Sequence, residues 1–256
     1  MLMWKEEITN LCEKFDGVAS AAICGLESGE ELIIRPDFVM PSASMIKLPI
    51  LLCMYDCAAQ GILNVSDTVK LTREDLTGGS GILAMLQPGR EYTLYEYAML
   101  MITLSDNTAT NLLIKELGTD AINRYIRSLG LTDTVLARKM MDFDARRRGA
   151  DNFTSVRDMK KLLEYIYRNE DSMTEVLDIL KRQLCNDLIP HLIPEDTVIA
   201  HKTGGLPDVM HDAGILYGKE PVLFCVFLKG YQDEAAAKRL HNRIGELIYQ
   251  EFKARA

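Results

Sequence analysis

The chain has 256 residues, of which 48% are hydrophobic and 26% charged, and its formal net charge is -8. This length and composition suit one large domain or two small lobes with enough core to fold without disulfides or metals. The acidic balance disfavours nucleic acid as a partner, because like charges repel a phosphate backbone. The histidines and cysteines show no spacing typical of a metal site, so we expect no metal and no bound cofactor.

The N-terminal segment lacks a basic region followed by an apolar core, and no apolar run reaches the length of a membrane span. We therefore expect a cytoplasmic protein, or a secreted one if a signal segment has been removed. No pattern in the sequence fixes an oligomeric state.

Hydrophobic periodicity predicts helices at both ends of the chain and further helices between two groups of strands. Trp4, Ile8, Leu11 and Phe15 recur at helical spacing, so the chain opens with an amphipathic helix. The other predicted elements, in chain order, are strands over 18–26 and 31–35, a helix from Ser44 to about Gly61, helices over 93–104, 108–117, 120–129, 154–168 and 172–184, strands over 197–202, 210–217 and 221–229, and a helix over 234–252.

Two helix starts show the pattern of a capping box, Thr93 with Glu96 and Ser172 with Glu175. Residues 131–152 have no clean period and are rich in charge, which predicts a long loop. The order of elements predicts an α+β fold, with an antiparallel five-stranded sheet built from both ends of the chain and flanked by the terminal helices.

The helices between the two groups of strands predict an inserted all-α lobe. We expect residues 1–41 and 196–256 to form the α/β lobe and residues 42–195 the all-α lobe. A cleft between two lobes is a favoured place for a site.

The first chemical motif is Ser-x-x-Lys, formed by Ser44 and Lys47. If Ser44 opens a helix, Lys47 lies one turn on along the same face, where its amine can reach the Ser44 hydroxyl. A serine hydroxyl needs a base to become a nucleophile, and a lysine can serve if burial and a second cation lower its pKa. Taken alone, the pair also fits a helix N-cap followed by a surface lysine.

Two further motifs follow in the chain, Ser105-Asp106-Asn107 on a turn between helices and Lys202-Thr203-Gly204 at a strand end. Each has a purely structural alternative, a helix cap for the first and a strand turning at glycine for the second. The ordered set of all three is hard to attribute to chance.

The three motifs resemble those of the serine β-lactamase and penicillin-binding protein superfamily. Length, motif spacing and element order resemble class A β-lactamases throughout, which implies an omega-type loop at about 137–153. The resemblance implies that Ser44 is the acylated nucleophile and Lys47 its base. It also implies that Ser105 relays the proton to the leaving nitrogen and that Lys202 keeps the site positive.

The resemblance also implies a set of substrate-binding groups. Asn107 would bind the motif lysine or a substrate amide, and Thr203 would hydrogen-bond a substrate carboxylate beside Gly204. The backbone N–H groups of Ser44 and Gly205 would form an oxyanion hole.

One departure from the family concerns the omega-type loop, where class A enzymes carry a glutamate that activates the deacylating water. Counting from Arg138, that position holds Met140, which cannot be a general base. Asp142 or Asp144 could substitute. Arg138 could still pair with Asp151 across the neck of the loop.

A second departure concerns the arginine that the family places behind Lys-Thr-Gly to hold the substrate carboxylate. No arginine occurs between Lys202 and Arg239. His211 lies near that position, although a histidine packed within a strand is the alternative. A neutral histidine would bind a carboxylate less well than an arginine.

We therefore expect a serine acyl-transfer hydrolase that opens the β-lactam amide through an acyl-Ser44 intermediate and deacylates slowly. One alternative is a D,D-peptidase or esterase of the same superfamily. Another is a penicillin-binding or sensing module that is acylated without turnover. The expected partner is a small molecule: a β-lactam, a peptide or an ester.

Overall fold

The computed structural model of the protein describes residues 3–253, which form a five-stranded sheet, two small pairs of strands and a series of helices. In chain order the elements are α1 (Met3–Glu13), β1 (Val18–Gly25), β2 (Glu31–Ile34), β3 (Met40–Pro41), α2 (Lys47–Ala59), β4 (Thr68–Lys70), β5 (Glu91–Thr93), α3 (Leu94–Thr103), α4 (Asn107–Leu117), α5 (Thr119–Ser128), α6 (Phe143–Arg147), β6 (Phe153–Thr154), α7 (Val156–Arg168), α8 (Thr174–Leu180), β7 (Ile199–Leu206), β8 (Val209–Leu216), β9 (Val222–Lys229) and α9 (Glu234–Lys253).

The five-stranded sheet has the order β2-β1-β9-β8-β7, and every neighbouring pair is antiparallel. Both ends of the chain contribute strands, which confirms the predicted α+β fold. Strand β9 reads as a continuous apolar run, because α1 and α9 cover one face of the sheet and α7 packs on the other. Strand β7 lies at an edge of the sheet, so one side of its backbone is left unpaired by the other strands.

Helix α2 is the centre of the helical part of the chain. It is apolar around most of its circumference, as expected for a helix that other helices surround. It contacts α3, α4, α5 and α8. Because Lys47 is its first residue, this packing fixes the position of the lysine.

Helix α3 begins with the predicted capping box. Thr93 Oγ1 accepts a hydrogen bond from the Glu96 backbone N–H at 3.1 Å, and Glu96 Oε2 accepts one from the Thr93 N–H at 2.7 Å. The box predicted at Ser172 is wrong, since Ser172 Oγ donates to the carbonyl of Asn169 at 2.9 Å instead. Helix α8 accordingly starts later than predicted, with Met173 as its N-cap and no side-chain cap.

Hydrophobic periodicity did not predict the strand pairs β3–β6 and β4–β5, because segments of two or three residues are too short to show a period. The β3–β6 pair joins the segment before Ser44 to the end of the long loop, with Met40 opposite Thr154. The loop itself contains the short helix α6. Across residues 3–253, no helix is long and apolar enough to span a bilayer.

Candidate active site

Ser44 lies in a short 3₁₀ helix, Ala43–Ile46, that leads directly into α2. Ser42 and Met45 are fully buried, whereas Ser44 is only partly buried, and we call the partly exposed surface around Ser44 the cleft. Ala43 holds a positive φ of 46°, a backbone conformation that L-residues adopt at a cost. The turn that presents Ser44 is therefore held by its surroundings.

Ser105 is the hub of the site, because its hydroxyl contacts the side chains of both other motifs. Ser105 Oγ donates to Ser44 Oγ at 2.8 Å, and it accepts from Lys47 Nζ at 3.0 Å and from Lys202 Nζ at 3.1 Å. Ser105 has φ +53°, which turns the chain sharply between α3 and α4 and aims the hydroxyl into the cleft. The three motifs thus meet in one hydrogen-bonded cluster.

Lys47 is fully buried, and within residues 3–253 the hydrogen bonds of its ammonium all go to neutral acceptors. Besides Ser105 Oγ, it donates to the Ser105 carbonyl at 2.7 Å and to Asn107 Oδ1 at 3.0 Å. Burial, followed by the nearby Lys202 ammonium, lowers the pKa of Lys47 well below its ordinary value. The hydrogen bonds of Lys47 Nζ go to Ser105 and Asn107, so the amine reaches the Ser44 hydroxyl through Ser105 rather than directly.

Lys202 is the second fully buried lysine. It donates to the Thr203 carbonyl at 2.7 Å in addition to Ser105 Oγ. Burial lowers the pKa of Lys202 to about 8, an effect that Cys185 and Asp212 partly oppose. At neutral pH it is mostly charged, and it gives the cleft a positive charge although the whole chain is acidic.

Asn107 anchors a glycine-rich loop against the site, a role that the sequence did not indicate. Its Nδ2 donates to the Gly78 carbonyl and its backbone N–H to the Ser80 carbonyl, each at 3.0 Å. Gly79 has φ +86°, and a Cβ there would lie 2.7 Å from Asn107 Nδ2, so a side chain would disturb the contact. The clue to this contact in the sequence was the run of glycines at 78, 79 and 81.

Strand β7 brings its glycines against the nucleophile. A Cβ on Gly204 would lie 3.1 Å from the Ser44 backbone nitrogen, so the glycine permits this close approach. β7 and β8 form a two-residue hairpin in which Leu206 pairs with Val209. Because hydrogen-bonded pairs alternate along a hairpin from its closing pair, the Gly205 N–H faces the free edge of the sheet. Thr203 stands two residues earlier on the same edge.

Met140 is held in place by Asn111 of α4. The Met140 N–H donates to Asn111 Oδ1 at 2.7 Å, and Asn111 Nδ2 donates to the Met140 carbonyl at 3.1 Å. The Met140 side chain packs into the core. Asn111 is thus a positioning residue for the loop that the sequence reasoning missed.

The two aspartates proposed as substitute bases bind other groups of the loop. Asp142 Oδ1 caps α6 by accepting from the Ala145 N–H at 2.9 Å. Asp144 is exposed and pairs with Arg147. Within the part of the chain that the structure describes, neither carboxylate forms a hydrogen bond with Ser44, Lys47 or Ser105, so the geometry does not support the expectation of a base at either position.

The predicted ion pair at the neck of the loop is confirmed. Arg138 Nε donates to Asp151 Oδ1 at 2.7 Å, and Arg146 Nε lies 3.0 Å from Asp151 Oδ2. Both ends of the loop are therefore tied together beside the cleft.

His211 does not reach the cleft, so its expected role in binding a substrate carboxylate is wrong. The side chain is 0% exposed, and its ring stacks on Phe227 with centroids 4.2 Å apart. Its Nε2 donates to the Pro41 carbonyl at 3.0 Å. The residue points inward because β8 is a central strand, covered on both faces.

Comparisons with known proteins show similarity to β-lactamases along nearly the whole chain. The model of the β-lactamase enzyme family matches residues 3–252. The extended-spectrum β-lactamase PER-1 of Pseudomonas aeruginosa is 25% identical over 259 residues, covering 94% of this chain and 83% of that protein. A β-lactamase structure from Sphaerobacter thermophilus is 28% identical with TM-score 0.90, covering 98% of this chain and 97% of that one.

The structure of PBP-A is 29% identical with TM-score 0.89, covering 99% of this chain and 97% of that one. A substituted form of PBP-A has also been solved as an acyl-enzyme complex with penicillin G.

Proposed function

The chain belongs to the β-lactamase enzyme family, and we propose that it is a serine acyl-transfer hydrolase of the class A type that reacts with β-lactams through Ser44. The observation that carries this proposal is the hydroxyl of Ser105, which joins the nucleophile to two buried lysines. A surface lysine beside a helix cap would have no reason to be fully buried among neutral acceptors. An amine whose pKa is lowered by burial is what a serine nucleophile requires.

In the proposed acylation, Ser44 Oγ attacks the carbonyl carbon of the β-lactam while its proton passes to Ser105 Oγ. This requires the neutral form of Lys47, in which the two hydrogen bonds reverse direction: Ser105 Oγ accepts from the Ser44 hydroxyl and donates its own proton to Lys47 Nζ. The O⁻ of the tetrahedral intermediate accepts hydrogen bonds from the backbone N–H groups of Ser44 and Gly205, a contribution that often dominates acyl transfer. The C–N bond then breaks, and the nitrogen takes a proton from Ser105, which the Lys47 ammonium replaces.

The charge of the cleft favours an anionic substrate. Lys202 carries the positive charge, and Thr203 offers a hydroxyl at the edge of β7. We assign the substrate carboxylate to these two residues. His211, which is buried behind the strand, takes no part in this contact.

Deacylation is the step for which the site is poorly equipped. It requires a base that removes a proton from the attacking water, and Met140 stands where the family carries a glutamate. Loss of a general base typically costs about 10²–10⁴-fold in rate. We therefore propose a long-lived acyl-enzyme that is hydrolysed slowly.

The same missing base supports a second candidate, a penicillin-binding protein that acts on a peptide or ester, or that is acylated as a sensor. The similarity to PBP-A over nearly the whole chain favours it. The two candidates share the acylation chemistry and differ in the natural acyl donor and in the fate of the acyl-enzyme.

Intact-mass spectrometry with excess benzylpenicillin tests the shared step. We expect one adduct per chain in the wild type and none in Ser44→Ala. Peptide mapping has to place the adduct on Ser44 and not on Ser42, whose buried hydroxyl donates to the Ala43 carbonyl at 3.2 Å. An unchanged adduct in Ser44→Ala would refute the proposal.

A panel of D-Ala-D-Ala peptides and activated esters then separates the two candidates. Both candidates predict a long-lived penicillin adduct, so the preferred acyl donor decides between them. Turnover that depends on Ser44 with a peptide or ester favours the penicillin-binding protein. Slow but repeated turnover of penicillin, with no such turnover of the panel, favours the β-lactamase.

A further inference from the structure

His211 connects the central sheet to the segment that leads into the nucleophile. Its Nε2 donates to the carbonyl of Pro41 at 3.0 Å, three residues before Ser44. Pro41 has no backbone N–H, so the carbonyl is the one main-chain group through which the residue can be held by hydrogen bonds. Ser42 is held from the other side, where its N–H donates to the Asn152 carbonyl at 2.8 Å.

His211 also lies in the middle of a row of residues that face the nucleophile from three adjacent strands. It pairs with Gly204 of β7 on one side and with Phe227 of β9 on the other. The imidazole stacks on the Phe227 ring with an interplanar angle of 26°, which fixes the ring plane. Gly204, at the end of the row, lies against the backbone nitrogen of Ser44.

The two donors of the oxyanion hole belong to separate parts of the chain, which makes their spacing dependent on such contacts. Ser44 contributes its N–H from the 3₁₀ helix, and Gly205 contributes its N–H from β7. Gly205 follows Gly204, which pairs with His211, while Ser44 follows the segment that His211 holds through Pro41. His211 is therefore connected to both donors, through its side chain on the Ser44 side and through its backbone on the Gly205 side.

The hydrogen bond from His211 has a defined direction at neutral pH. Burial lowers the pKa of His211 to about 4, although the carbonyls of Pro41 and Met210 act in the opposite direction. The ring is therefore neutral and carries a single N–H. Since Nε2 faces a carbonyl oxygen, the proton lies on Nε2.

We propose that His211 is a positioning residue that sets the distance between the two N–H donors of the oxyanion hole, by bonding the Pro41 carbonyl while pairing with Gly204. It acts through Ser44 and Gly205 and does not touch the substrate. The inference rests on the proposed function, in that it assumes Ser44 to be the nucleophile. A displacement of about 1 Å in such a site can cost about 10²-fold in rate.

The test compares three variants with the wild type. His211→Phe keeps a buried ring and removes the donor, and His211→Met replaces it if the first variant does not fold. His211→Gln restores an N–H donor of similar reach. The matched control is His241→Phe, since His241 is an equally buried histidine whose ring nitrogens face the carbonyls of Ala237 at 3.0 Å and Val226 at 3.1 Å, in α9 and β9 and not in the segment before Ser44.

Each protein is treated with benzylpenicillin, which has a carboxylate, and with a fluorophosphonate, which has none. The fluorophosphonate reacts when Ser44 Oγ attacks phosphorus and fluoride leaves, and its developing P–O⁻ also needs the oxyanion hole. For both reagents the first-order acylation rate constant is separated from the apparent dissociation constant. Thermal unfolding is recorded in parallel.

We expect His211→Phe to lower the acylation rate constant by about 10–10²-fold with both reagents and to leave the dissociation constant nearly unchanged. His211→Gln should recover most of the rate, and His241→Phe should acylate like the wild type.

A wild-type rate in His211→Phe would overturn the inference. A loss with benzylpenicillin alone would also overturn it, in favour of contact with the substrate carboxylate. Equally slow acylation in His241→Phe would also overturn it, because the loss of rate would then come from a general loss of core packing. If the wild type reacts with the fluorophosphonate only, the β-lactam proposal fails while the comparison of variants still decides the role of His211.

Discussion

Replacing Ser105 by alanine removes the hydroxyl that connects Ser44 to both lysines. Three hydrogen bonds disappear, one to Ser44 Oγ and one from each ammonium. Lys47 keeps two acceptors, the carbonyl of residue 105 and Asn107 Oδ1, and Lys202 keeps the Thr203 carbonyl. The lysines therefore stay partly satisfied, whereas the proton path from Ser44 is cut.

The expected loss in acylation rate is about 10²–10⁴-fold, the contribution of general acid–base catalysis by one positioned group. The effect on stability can be separated from this loss because Ser105 has φ +53°. An L-residue in that region costs about 1–2 kcal/mol, which glycine avoids, while the extra freedom of glycine in the unfolded chain takes back about 0.4–1 kcal/mol. Ser105→Gly should therefore be more stable than Ser105→Ala by roughly 0.5–1 kcal/mol, with the same loss of rate.

Quenched-flow acylation with benzylpenicillin and urea unfolding of both variants provide the measurements. If Ser105→Ala acylates within a few-fold of the wild type, the proton does not pass through Ser105 and the proposed relay is wrong. If the glycine variant regains the rate along with its stability, the loss comes from backbone strain and not from the missing hydroxyl.

Three further predictions concern separate parts of the site. Met140→Glu should hasten breakdown of the penicillin adduct by about 10²-fold or more, because the two hydrogen bonds from Asn111 already fix the backbone at this position. An equal gain in Met140→Gln would show that no base is involved. The affinity for benzylpenicillin should fall as pH rises through about 8, because Lys202 then loses its proton. This fall should be absent in Lys202→Met. A flat pH profile in the wild type would contradict the assignment of the substrate carboxylate to Lys202. Asp151→Asn should lower the free energy of unfolding by about 2 kcal/mol in urea titrations, because the Arg138 ion pair is largely buried; no change would mean that the pair is not structural.

The parts of the fold that sequence predicted are those with a long period or a local capping pattern. The apolar run of β9 and the box at Thr93 need only neighbouring residues to specify them. Helix α8 shows the limit of such reasoning. The Ser172 hydroxyl could accept from the Glu175 N–H or donate to the Asn169 carbonyl, and the choice between them depends on the path of the chain from α7, which no local pattern encodes.

The active site, too, could be predicted from the sequence only in part. The motifs identified Ser44, Lys47, Ser105 and Lys202, and the structure brings all four together. That Ser105 stands between the serine and both lysines depends on a left-handed backbone at a non-glycine residue, which a sequence pattern does not reveal.

His211 was assigned to the substrate from its position along β8. A strand period of two gives the face on which a side chain lies, but not whether another segment covers that face. Here Pro41 and Phe227 cover it, and the same residue becomes a candidate for holding the nucleophile's turn.

The most direct test of the central claim is the lifetime of the acyl-enzyme after free benzylpenicillin has been removed. The purified protein is labelled to completion, passed through a desalting column and followed by intact mass. The account predicts that the Ser44 adduct forms stoichiometrically and persists over many times the period needed to form it, because acylation has its full set of groups and deacylation lacks its base. An adduct that forms and disappears as fast as it is made would contradict this account, and so would the absence of any adduct.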